Sequence, residues 1–194
     1  MNREKNEVIE AMIEQGAKLL GEGLYEDAVE SFSACLAVAP DTPRAYSGRA
    51  QAQFRLKRWT EAIYNFSRAF ELDPEDRESA LGLGLSLAME NKVYEAIDVL
   101  EELLRRFPSF VRGRTQLGLL YYKLCATAKG KAQMDLALAN RPTLAERNMI
   151  EQILKQETSL DENRLYRPDF EALSKKNGGT RMPFSQWFKK LFKK

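Results

Sequence analysis

Proline recurs at Pro40, Pro74, Pro108 and Pro142, each 34 residues after the last. A fixed period constrains a chain more than its composition does. Each unit must fold alike and bury its apolar face on the next. Other columns keep the same register. Small residues fall at Gly16, Ala50, Gly84 and Gly118, and again at Ala28, Ala62, Ala96 and Gly130. Large apolar residues fall at Phe32, Phe66, Leu100 and Met134. A further column reads Cys35, Ala69, Leu103 and Ala137. An aromatic-led one reads Tyr25, Trp59, Val93 and Thr127, and fades in the last unit.

The columns describe two antiparallel helices per unit. Such helices approach closely only where side chains are small, so Gly84 and Ala96 mark contact points. The Phe66 column fills the space between one helix pair and the next. Proline closes each unit because it cannot continue the preceding helix, while the first turn of the next helix tolerates it. Helices are expected at 3–20 and 25–39, 43–56 and 59–72, 75–89 and 93–107, 110–124 and 129–140. Thr42, before Pro43, is the expected N-cap of the third. A ninth helix is expected at 144–156, opened by the capping box Thr143-Leu-Ala-Glu146. Its stripe of Leu144, Ile150, Ile153 and Leu154 would cover the last unit's open face. Glu146, Arg147, Glu151 and Gln152 would meet water.

The stretch Ala45 to Pro74, AYSGRAQAQFRLKRWTEAIYNFSRAFELDP, resembles a tetratricopeptide repeat over its whole length. Units at 9–42, 43–76 and 77–110 match the pattern. The unit at 111–144 matches less well, because its second helix opens on the weak run Cys125-Ala-Thr-Ala-Lys-Gly130, with Gly130 in place of the usual alanine. The resemblance implies an all-α fold over 1–157: a right-handed superhelical solenoid of about four helix pairs with a C-terminal capping helix. It also implies that the first helices line a concave groove. Carried onto this sequence, the groove positions are Arg44, Ser47, Gln51, Phe54, Arg55, Leu81, Leu85, Arg112, Thr115, Leu119 and Tyr122. Ile13, Ala17, Glu78, Met89 and Lys123 belong to the same set of groove positions. Such a groove suits an extended or helical peptide with apolar anchors and some acidic character. Leu81, Leu85 and Leu119 have a second possible use, as packing between neighbouring first helices. Some relatives hold the C-terminal carboxylate of heat-shock chaperones with a lysine, asparagines and a Lys/Arg pair. The matching places here hold Ile13, Ala17, Gly48, Glu78 and Gly82, so that clamp is absent.

Charge is segregated along the chain. From Ala172 onward there are seven basic residues and no acidic one, leaving 23 basic against 28 acidic residues before it. Residues 158–183 read as a partly ordered linker, broken at Asn177-Gly-Gly-Thr180. In 184–194, Phe184, Trp187, Phe188, Leu191 and Phe192 share one helical face, while Lys189, Lys190 and Lys193 take the other. A basic amphipathic segment of this kind docks on an anionic membrane surface, on another protein or on the chain's own solenoid.

The chain contains no histidine, which removes His-based acid–base chemistry, Ser-His and Cys-His pairs and His-ligated metals. No cofactor motif is present. Gly82 and Gly84, in Leu81-Gly-Leu-Gly-Leu85, resemble a phosphate-loop fragment but fall in repeat register as packing glycines. An enzyme is therefore not expected. Specific nucleic-acid binding is not expected either, because the arginines of the body are scattered among carboxylates. The first residues lack the apolar run of an export signal, and no stretch approaches the roughly 20 apolar residues of a membrane span. Cys35 and Cys125 lie in apolar stretches and read as buried reduced thiols, which fits a cytoplasmic chain. The function expected is that of a scaffold or adaptor holding a partner's peptide or helix in the groove. The alternatives are a chaperone resembling those of type III secretion translocators, or a peripheral membrane scaffold anchored by 184–194.

Overall fold

The computed structural model describes residues 2–162, with side chains from 6 to 157. The expected amphipathic segment at 184–194, and all but the start of the linker at 158–183, lie outside the described residues. Those described form α1 (Asn2–Glu22), α2 (Tyr25–Val38), α3 (Pro43–Arg55), α4 (Trp59–Leu72), α5 (Arg77–Met89), α6 (Val93–Arg106), α7 (Val111–Lys123), α8 (Thr127–Ala139) and α9 (Leu144–Glu162). No strand occurs among them. The capping helix α9 runs further than the expected 144–156, and α8 opens two residues earlier than the expected 129.

The turn inside each helix pair is built the same way four times. Gly23, Lys57, Asn91 and Cys125 adopt left-handed φ values of 81°, 61°, 62° and 59°. The next amide in each turn reaches back five residues: Leu24 N to Leu19 O, Arg58 N to Gln53 O, Lys92 N to Leu87 O and Ala126 N to Tyr121 O, at 2.8–3.0 Å. This bond satisfies one of the carbonyls that a helix end leaves open. The turns between pairs contain the periodic prolines, which sit ahead of the next helix rather than in its first turn. Pro43 does open α3, but Thr42 does not cap it. The Thr42 hydroxyl donates instead to Ala39 O at 2.9 Å. Asp76 caps α5, accepting from Glu78 N and Ser79 N, and the Thr143–Glu146 capping box opens α9 reciprocally at 2.9 and 3.3 Å.

Two compact units divide the chain, at Met1–Ala96 and Ile97–Lys194. In unit 1, each helix from α1 to α4 packs on the next, and the first helices α1, α3 and α5 also adjoin in turn. The Phe32 ring fills the core there, facing Gly16 of α1 and Gly48 of α3; Phe66 of α4 faces Gly82 of α5 in the same way. In unit 2, α7 pairs with α8, and α9 packs on both. Ile150 of α9 closes over Tyr122, Met134 and Ala137, while Glu151 and Gln152 face water. The large-residue column is buried as expected: Phe32, Phe66, Leu100 and Met134 are 2 %, 3 %, 1 % and 0 % exposed.

Candidate functional site

Three expected groove residues of unit 1 are exposed on α3, the helix that adjoins both α1 and α5. Arg44, Gln51 and Arg55 are exposed on α3, at the i, i+7, i+11 spacing of one helical face. Ser47 is half-buried and its hydroxyl donates to Arg44 O at 3.2 Å. Phe54 is half-buried, edge-on to the Trp59 ring at 5.0 Å. On α5, Leu85 is half-buried and Met89 is 55 % exposed. Leu81, expected to line the groove, is only 2 % exposed and belongs to the core. Of its two possible uses, packing is the one the structure shows.

Unit 2 sorts its residues in the same manner. Arg112 is exposed and Leu119 is half-buried against the Tyr122–Met134–Ile150 cluster. Thr115 and Tyr122 were expected in the groove and are instead 1 % and 8 % exposed. The Thr115 hydroxyl is spent on Val111 O at 3.0 Å, one turn back. The Tyr122 ring lies over Gly130, where an added Cβ would come within 2.8 Å of it. That contact explains why this repeat carries glycine in place of alanine.

The electrostatics of the unit 1 face are not those the residue types suggest. Arg44 Nη1 lies 2.7 Å from Glu10 Oε2, an ion pair across one repeat from α3 to α1. Arg55 has no acidic partner among the described residues. Gly48 and Gly82, two of the places a carboxylate clamp would use, cannot carry any side chain as packed. A Cβ there would lie 2.3 Å from the Phe32 ring and 2.4 Å from the Phe66 ring.

A polar network between α2, α3 and α4 escaped sequence reasoning. Arg49 donates to Asn65 Oδ1 at 2.7 and 3.1 Å and to Ser33 Oγ at 3.2 Å, and Asn65 donates to Gln53 Oε1 at 2.6 Å. The Tyr46 ring lies under both Arg49 and Arg68 at 5.5 and 5.9 Å. No periodic signal marks this network, because its members occupy different columns. Cys35 is buried, and that burial, with Glu10 nearby, pushes its thiol pKa up. Cys125, expected buried, is half-exposed. Among the described residues no carboxylate and cysteine group is placed to hold a metal, and no helix is long and apolar enough to cross a membrane.

Comparison with known proteins gives a coherent picture. Rat (Rattus norvegicus) sperm-associated antigen 1 is 33 % identical over 106 residues, a match covering 55 % of this chain and 12 % of that protein. A tetratricopeptide-repeat protein of Thermus thermophilus has a similar structure, with a TM-score of 0.67 at 22 % identity, covering 79 % of this chain and 85 % of that one. The second TPR domain of the human RPAP3 protein, solved in complex with an HSP70 peptide, gives 0.58 at 22 % identity, covering 60 % of this chain and 97 % of that one. The tetratricopeptide-repeat family model matches residues 14–69 and 64–110, which is half of the chain. With four helix pairs in 34-residue register and an all-α repeat fold, this chain belongs to the tetratricopeptide-repeat family.

Proposed function

We propose that the chain is an adaptor that holds a segment of another protein on the face shared by α1, α3 and α5. One observation carries this reading. In repeat register Leu85 and Met89 of α5 follow Gln51 and Arg55 of α3, so the half-buried Leu85 and the exposed Met89 are apolar counterparts of two exposed polar side chains. A core needs none of these at the surface, whereas a peptide needs both kinds: anchors for its side chains and partners for its backbone. The HSP70 peptide held by the RPAP3 domain supports a peptide as the ligand class. A clamp on a chain-terminal carboxylate does not fit, since aromatic rings occupy the space at Gly48 and Gly82.

Photo-crosslinking tests the proposal. A photoreactive residue replacing Gln51 or Met89 is expected to trap a discrete protein in cells. The same residue replacing Tyr64, exposed on α4, is expected to trap none. Trapping from Tyr64 alone would place partner binding on the second helices and overturn the reading.

A further inference from the structure

The two exposed arginines of α3 stand in opposite surroundings. Arg44 lies in the column Glu10, Arg44, Glu78, so a carboxylate precedes and follows it at 34 residues. Glu10 engages it at 2.7 Å. Arg55 lies in the column Gly21, Arg55, Met89. A Cβ built on Gly21 would meet nothing within 4 Å, and Met89 is 55 % exposed. In repeat register Arg55 thus stands between a glycine with open space around it and an exposed apolar side chain. No carboxylate among the described residues neutralises it. Gln51, one turn away on the same face, is exposed and offers amide donors and an acceptor.

Resting on the proposed function, we propose that Arg55 sets the specificity of this face. It selects a partner segment in which an acidic side chain lies next to a large apolar one, away from any chain terminus. The carboxylate pairs with the Arg55 guanidinium and the apolar side chain lies on Met89 and Leu85. A guanidinium receives a carboxylate through two parallel N–H donors, which fixes orientation as well as charge. Arg44 takes no part, because a ligand carboxylate would have to displace Glu10. The occupant is thereby an internal acidic–apolar segment, and the filled glycine positions Gly48 and Gly82 exclude the terminal-carboxylate mode.

A library of random short peptides displayed on phage, selected on the full chain, tests this. The enriched sequences are expected to share an Asp or Glu beside a Leu, Met or Phe. Their affinity should fall roughly five- to tenfold in Arg55→Glu, the size expected for reversing one exposed charge. Arg55→Lys should keep the acidic preference, and Arg44→Gln should change little. Selection on Arg55→Glu should swap the acidic position for a basic one. Binders that are lost in Met89→Asp but show no acidic preference, or that ignore Arg55→Glu, would overturn the inference and leave the face intact as a binding surface. Binders indifferent to both Met89→Asp and Arg55→Glu, or a library with no binder at all, would overturn the inference together with the reading of the face.

Discussion

The hydroxyl of Ser67 is the one buried side-chain polar atom among the described residues with no hydrogen-bond partner. It lost its water on folding and received nothing back. Ser67→Ala is therefore expected to raise stability by about 1 kcal/mol, read from the midpoint of chemical denaturation. A lowered midpoint would show that the hydroxyl has a partner after all. Lys57 holds a left-handed backbone, which costs a residue with a Cβ about 1–2 kcal/mol relative to a helical one. Lys57→Gly is expected to recover roughly 1 kcal/mol of that. Thiol reactivity should separate the cysteines: Cys125 labels first, and Cys35, buried and shifted up, labels only as the protein opens. These turn residues show where the sequence was hard to read. The left-handed column holds Gly, Lys, Asn and Cys, so its conformation is periodic although its chemistry is not. The groove positions met the same difficulty. Family register named Gln51 and Arg55, and both are exposed. It could not tell that Leu81, Thr115 and Tyr122 turn inward, since that depends on which neighbour leaves room.

Helices are the scale at which the sequence was most legible. Small-residue columns and helical spacing located all nine described helices, to within about two residues except at the end of α9. The reason is that close approach admits few side chains, so the contact shows as composition. Gly82 makes the point energetically. Gly82→Ala would drive a methyl group into the Phe66 ring, and overpacking of this kind costs about 1–3 kcal/mol. Phe66→Ala alone should cost roughly 3–5 kcal/mol. In the double variant the penalty at Gly82 should vanish, since the ring it meets is gone. A double-mutant cycle by denaturant titration measures that coupling. Additive losses would mean that the two residues do not meet.

Among the described residues of each unit, helices touch only their first and second neighbours along the chain. Stability in such a stack is a sum of local terms, so damage should stay local. Ile150 of α9 is wholly buried against α7 and α8. Ile150→Ala is expected to cost about 2–5 kcal/mol. Hydrogen exchange should then quicken across α7, α8 and α9 while amides of α1 to α4 keep their protection. Uniform quickening over α1 to α4 as well would show that the damage does not stay local.

The seat of Phe32 bears on how such a chain can be cut and rejoined. Its ring is carried by the first repeat, yet one of the two glycines it rests on, Gly48, belongs to the second. Phe66 and Gly82 span the next boundary likewise. A chimera spliced at the 34-residue proline marks would part Phe32 from Gly48 and Phe66 from Gly82, and set each ring against whatever a foreign repeat presents there. Cutting instead inside the helix pair, at the left-handed turn of Lys57 or Asn91, keeps each second helix with the first helix that follows it. For the seat of Phe66, the module that travels intact is thus offset by half a repeat from the module the sequence displays.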